Sequence, residues 1–528
     1  MPRRRGPRRR AGGLRAWAAL AAALTLAAPP AAVAGETVLR ARLNADIVST
    51  DPGVRRDENT DAVLLHVVEG LVAYREDLSV GPLLAARWDV SRDGRVYSFR
   101  LRAGVRFHNG APLTSAEAVW SLRRYLDPKT HWRCLHEFDG GGYAKILAVA
   151  APDPMTVRIT LDKPSPGFLS TLARVDCGET AILHPSSVGP DGTWRAPIGT
   201  GPFRLARWTR NQAIELVRFD GYQTLPGPRD GNTGGKRALV DKVRFLVIPD
   251  GVAAEAALLR GDLDVLDGVL PIETGELKRH ADVRLDVHPS LDIYALLFQT
   301  RDPLLRDPRL RQAIALTLDI PGLARAVTQG AAQPNRSVVP VASAFHDAVQ
   351  ARIPAANLVQ ARRLAAAAGY RGQPIRLIAN HRYPAMFDAA VLVQAMARQA
   401  GIRIDIDTLD WAAQLARYNA GQYQAMTFGY SARLDPSLSY DALLGDKQAD
   451  PRKVWDDPVA RSLLTASRET GDAAARTAVF DRMHALFLQD VPAVVLFNSA
   501  RIAAFRANVV GYRGWPAAQQ RLWGVGFR

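Results

Sequence analysis

Two cysteines, Cys134 and Cys177, are all the thiol chemistry in 528 residues, too few for a zinc-finger or iron–sulfur protein. The chain has no G-x-S-x-G nucleophile elbow and no H-E-x-x-H helix, so two common hydrolase signatures are missing. No internal repeat occurs, and beyond the N-terminal segment no apolar run is long enough to span a bilayer. With 48% hydrophobic and 23% charged residues, neither a disordered chain nor a collagen-like one fits. What is present in excess is positive charge, +16 in all. Seven of the 68 basic residues fall within residues 1–35, which hold no acid. Beyond them, 61 basic residues face 52 acidic ones over 493 positions. Those arginines are scattered among acids, so no nucleic-acid partner is implied.

The charged start reads as an address. An arginine-rich stretch to Arg15 precedes the apolar run Ala16–Ala28, then Pro29-Pro30 and the small-x-small site Ala32-Val33-Ala34. That order is expected of a cleaved secretory signal peptide over residues 1–34, by the general or the twin-arginine route. The mature protein is then expected in the periplasm, where Cys134 and Cys177 are disulfide candidates. His131, Cys134 and His136 also stand close enough to suggest metal ligation, but a bridged loop accounts for the same residues, and no metal site is assigned.

Residues 358–408 are the most legible. Leu358, Ala361, Leu364, Ala365 and Ala368 recur at helical spacing up to Gly369, and Ile375–Ala379 reads as a buried strand. Val393, Met396, Ala397 and Ala400 form a second helical face ended by Gly401. Ile402, Ile404 and Ile406 then alternate as a second strand. Strand, helix, strand with short connections predicts a right-handed crossover on a parallel sheet. The N-terminal half is strand-rich α+β instead, with alternation at Val96–Leu101, Thr156–Leu161 and Ala213–Phe219 and a helix capped by Thr114 with Glu117 in its first turn. Gly234-Gly235-Lys236 lacks the first glycine and the hydroxyl of a phosphate loop. It reads, with the rest of Gly221–Lys236, as a surface loop.

Several segments together resemble family 5 of the extracellular solute-binding proteins, the periplasmic components of peptide- and nickel-type ABC importers. They are Thr50-Asp51-Pro52, Val68-Glu69-Gly70-Leu71-Val72, Pro82-Leu83-Leu84-Ala85, Val105–Thr114, Ile198-Gly199-Thr200-Gly201-Pro202-Phe203, Leu258–Val265 and Asp307–Ile314. The resemblance implies an α/β fold of two hinged lobes, the type II binding-protein class, with an additional α+β subdomain in the first lobe. Lobe I would comprise 35–66, 196–285 and 490–528, the inserted subdomain 67–195, and lobe II 286–489. Hinge strands would lie near Ile293–Gln299 and Val491–Phe497. The implied role is a receptor, acting as a monomer without cofactor or chemical step, that captures a peptide-like or other small polar solute and delivers it to a membrane permease.

The resemblance also implies ligand-binding residues. Trp411 matches a pocket-lining tryptophan. Gly429, Tyr430, Ser431, Arg433 and Asp435 lie in the loop that carries ligand contacts. Arg382 and Tyr383 follow the strand Ile375–Ala379, and Arg56, Asp57 and Glu58 follow the Asp51-Pro52 motif. Peptide-binding members place an ammonium-gripping aspartate four residues before Pro436. Here that residue is Ala432, with Arg433 beside it, which shifts weight toward an anionic or neutral ligand. A nickel or metallophore receptor and an opine- or sugar-type receptor remain alternatives on the same fold. An exported two-domain hydrolase and a chemosensory or chaperone-like protein are the rivals from other classes.

Overall fold

The computed structural model describes residues 35–517 and 519–528, so the expected signal peptide lies outside the described residues. An eleven-stranded mixed sheet runs through the molecule. From one edge its order is Ile404–Thr408, Ile375–Ala379, Ala425–Tyr430, Val283–Phe298, Ala493–Arg506, Val265–Asp267, Val38–Leu43, Lys242–Val247, Ala213–Arg218 and Phe203–Thr209. The short strand Gln333–Pro334 sits on Ala493–Arg506. The crossover unit is present. Ile375–Ala379 pairs in parallel with Ile404–Thr408, Ile375 opposite Ile404, and the intervening helix is Pro384–Gln399. Its second strand starts at Ile404, because Ile402 is used instead to seal the helix end against the core.

Two long antiparallel strands, Val283–Phe298 and Ala493–Arg506, join the halves of the sheet. They extend well beyond the apolar runs visible in the sequence. Val491 precedes the second strand as a helix cap with φ of 47°, outside the strand itself. Their register breaks in the middle: Pro289 opposes Ala500 and Ile293 opposes Asn498, so three residues on one strand face Ser499 alone. Such a bulge bends a ladder and re-aims a side chain, and here the re-aimed residue is Asp292.

Beside the large sheet stands a four-stranded antiparallel sheet, Ala85–Val90, Val96–Leu101, Thr156–Leu161 and Ile146–Asp153, covered by the helix Ser115–Leu126. Thr114 caps that helix with Glu117 reaching back, as the sequence predicts. The Cys134 and Cys177 sulfurs are bonded to each other, with Cα atoms 5.6 Å apart. Cys134 is therefore not available as a thiolate ligand beside His131 and His136.

One reading needs correction. Lys236 is fully buried, not on a surface loop. Its ammonium lies 3.3 Å from the Glu69 carboxylate and 4.6 Å from the centre of the Trp523 ring. Glu69 also accepts from Thr200 Oγ1 at 3.0 Å and from the Tyr222 hydroxyl at 2.9 Å. A buried lysine needs such a partner, and its carboxylate lies too far away in sequence to be guessed. The same knot explains the Ile198–Phe203 turn. A Cβ on Gly199 would come within 2.3 Å of the Val67 carbonyl oxygen, and one on Gly201 within 2.5 Å of that of His66. Only glycine lets these two segments touch.

Candidate functional site

A cavity of about 430 Å³, lined by charged and aromatic side chains, opens beside the bulged long strands. On one side it is lined from the Cys134–Cys177 region and the start of the helix Glu58–Leu64, and on the other by residues 383–438. Trp411 opens the helix Trp411–Asn419 just after the strand Ile404–Thr408, positioned by Asp410, which caps that helix. Its ring meets Tyr383 edge-on at 4.9 Å and Phe428 at 5.7 Å, an aromatic wall that excludes water. Tyr383 sits at the start of Pro384–Gln399, its backbone N–H donating to Asn380 at 3.0 Å.

Gly429 and Tyr430 end the strand Ala425–Tyr430, and a Cβ on Gly429 would meet the Met386 methyl at 2.9 Å. The Tyr430 hydroxyl turns to Tyr418, 3.2 Å away, and burial pushes its phenol well above the ordinary value. It therefore presents a flat neutral face. Ser431 is exposed at the rim. Asp435 caps the helix Pro436–Leu443, and both its oxygens accept from Arg476, at 2.7 and 2.8 Å. Its carboxylate is thus already paired.

Of the first-lobe trio, Arg56 pairs with Asp61 and lines the cavity. Asp57 caps the helix Glu58–Leu64 by accepting from Thr60 N at 2.8 Å, and it does not line the cavity. Glu58 lines it and accepts from Arg501 at 2.6 Å. Arg382 is exposed outside the cavity, its guanidinium 5.9 Å from the Tyr383 ring centre.

Sequence reasoning missed Arg133, Arg174, Asp176, Asp292, Tyr294 and Arg501. Arg174 bonds to Asp176 at 2.8 Å and Glu137 at 2.7 Å, and Arg133 reaches Asp176 at 3.2 Å. Burial works against the Asp176 carboxylate, yet Arg174 outweighs it and holds the group well below the usual carboxylate range. Arg133 and Asp176 each neighbour a bridged cysteine, which is the one signal that joins them. Nothing in the spacing marked Asp292 or Arg501.

Five arginines and three carboxylates line the cavity, an excess of two positive charges. Among the described residues Arg433 is the cavity arginine with no ion pair. Its guanidinium donates only to the carbonyls of Ser431 and Ala432, at 3.2 and 3.4 Å, and burial lowers its pKa. Asp292 likewise pairs with no lysine or arginine. It accepts from Ala432 N at 2.7 Å and Ser499 Oγ at 3.2 Å. An arginine without an ion pair and an aspartate without a lysine or arginine hydrogen bond thus line one cavity, an arrangement suited to a solute that carries both signs.

A hinged α/β molecule with an added strand-rich subdomain and such a cavity beside its connecting strands belongs to the type II solute-binding class. The sequence profile of the bacterial extracellular solute-binding proteins, family 5 (middle region), matches residues 79–451. The chain belongs to this family, whose members serve ABC importers. It is 25% identical over 460 residues to a dipeptide-binding protein of Escherichia coli K12, covering 82% of this chain and 83% of the relative. It is also 25% identical over 514 residues to the glutathione-binding protein GsiB of Escherichia coli O1:K1, covering 94% and 95%. The solved structure of the PBP AgaA from A. tumefaciens R10 with agropinic acid is 26% identical, with a TM-score of 0.72 over 93% of this chain and 99% of that one.

Proposed function

We propose that this chain is a periplasmic receptor that captures an amino-acid-derived solute with an excess of carboxylates and hands it unchanged to an inner-membrane permease. The observation that carries the reading is the pair Arg433 and Asp292, each without an ion pair among the described residues and both lining one cavity. In this reading Asp292, bonded to the backbone of Ala432, supplies beside that position the carboxylate that Ala432 lacks and receives an ammonium group. Arg433 takes a carboxylate, and the surplus positive charge of the lining favours further acidic groups. Trp411 and Tyr383 cover the apolar part of the solute. Relatives named for dipeptide and glutathione binding, and a structural neighbour solved with agropinic acid, support a solute of this class.

Capture would proceed by closure of lobe I (35–66, 196–285, 490–528, with the subdomain 67–195) onto lobe II (286–489), bending at the bulge beside Asp292. The protein acts as a monomer, is exported by its N-terminal segment and performs no chemical step. Mass spectrometry of the solute released when the periplasmic protein is unfolded tests this directly. An amine-bearing acid returned intact is the expected result. Release of a neutral sugar, or conversion of candidate esters and peptides, overturns the reading.

A further inference from the structure

A second cavity, about 190 Å³, lies away from the charged one, between the helices Pro308–Leu316, Leu358–Ala367 and Ala473–Asp490. Leu316, Ile320, Leu364 and Leu488 line it, and the one charged side chain in its wall is Arg336. Arg336 is only 6% exposed. Among the described residues no carboxylate pairs with it, and its Nη1 has no hydrogen-bond partner. Its position is fixed from both sides. The Asn335 side chain donates to the carbonyls of Ser337 and Val339, each at 3.0 Å, and to Asn498 at 2.8 Å. These bonds tie down the backbone on both sides of Arg336.

Burial alone pushes this arginine down to about 10, so it stays charged at neutral pH. The nearby His484 imidazole is also buried, and both its nitrogens are without partners. Burial, with the charge of Arg336 next, pushes it down to about 4, so it is neutral and brings no competing charge. Buried charges in folded proteins are paired or bind ions, and this one has neither partner within the protein.

We propose that this cavity is a second binding site, for a small monoanion with a short apolar tail such as a short-chain carboxylate. The carboxylate accepts from the Arg336 guanidinium, and the tail packs on the four aliphatic side chains. The site depends on no residue of the Arg433 cavity. Val491, in its wall, leads within two residues into the long strand Ala493–Arg506. An occupant would therefore sit at the root of a strand that joins the two halves.

Calorimetry and thermal melts of the full chain with sodium hexanoate, sodium chloride and 1-hexanol at equal ionic strength test the proposal. Hexanoate is expected to bind one-to-one and raise the melting temperature, whereas chloride and hexanol leave it unchanged. Arg336→Met should weaken hexanoate binding at least tenfold, and Arg433→Ala should retain it. A crystal grown with 6-bromohexanoate should place bromine among Leu316, Ile320 and Leu364, a readout that stands even if Arg336→Met does not fold. Absence of saturable hexanoate binding, equal stabilisation by chloride, unchanged binding in Arg336→Met, or bromine only in the Arg433 cavity overturns it.

Discussion

Single side chains divide the labour of the charged cavity, and the division can be tested one at a time. In the proposed reading Trp411 covers the apolar part of the solute, so Trp411→Ala should weaken solute binding by more than ~1 kcal/mol, about fivefold or more in calorimetry. An unchanged affinity removes it from the site. Arg433 and Asp292 contribute opposite charges. Arg433→Ala should therefore cost acidic solutes most, and Asp292→Asn should cost solutes bearing an amine. Identical ligand profiles for the two variants would falsify the assignment of an ammonium to one and a carboxylate to the other. His66 gives a pH prediction of known sign. Its ring lies buried between Phe203, Phe245 and Trp523, Nδ1 bonds to the Ala62 carbonyl and Nε2 accepts from Leu522 N, so burial pushes it down to about 3. The unfolded imidazole takes up a proton near 6.5, so the stability this neutral ring contributes is present above that pH and is lost as pH falls toward 3. Proton NMR should show its Cε1–H unmoved from pH 7 to 5, and a shift centred near 6.5 would contradict the buried geometry.

At the scale of elements, the disulfide does more than close a loop of 43 residues. It clamps together Arg133 and Asp176, which line the cavity on either side of it. Reduction should lower stability by ~2–4 kcal/mol, seen as a lower melting temperature, and should also weaken solute binding. A lower melting temperature with unchanged affinity would leave the bridge a purely structural role. The turn at Gly199 is the other element-level test. Gly199→Ala must push a methyl into the Val67 carbonyl and should cost more than ~1 kcal/mol in denaturant unfolding. These two elements also show what a sequence can reveal. Periodicity located the crossover unit because its residues obey the 3.6 and 2.0 repeats that a buried face imposes. The Ile198–Phe203 turn was visible only as a motif, and its reason, backbone touching backbone with Glu69 and Lys236 beneath, is tertiary. Trp411 and the 429–433 loop are pointed to by the family resemblance rather than by any periodicity, and Tyr383 by its place after the strand Ile375–Ala379. Asp292 is not, because a bulge decides which way it points and a bulge leaves no period.

For the whole molecule, the expectation is motion. Small-angle scattering should show the radius of gyration contract when the captured solute is added, and a profile that never changes would deny closure. The far wall of the cavity was hidden from sequence for the same global reason: Arg133, Arg174 and Asp176 meet residues 429–433 only once two distant stretches of chain fold against each other. The mutual bond between Cys134 and Cys177 uses up every thiol in the sequence. A single cysteine introduced at the rim, at Ser431 for example, would thus be the sole attachment point for a dye. Under the proposed reading, the emission of such a dye would follow the concentration of the solute.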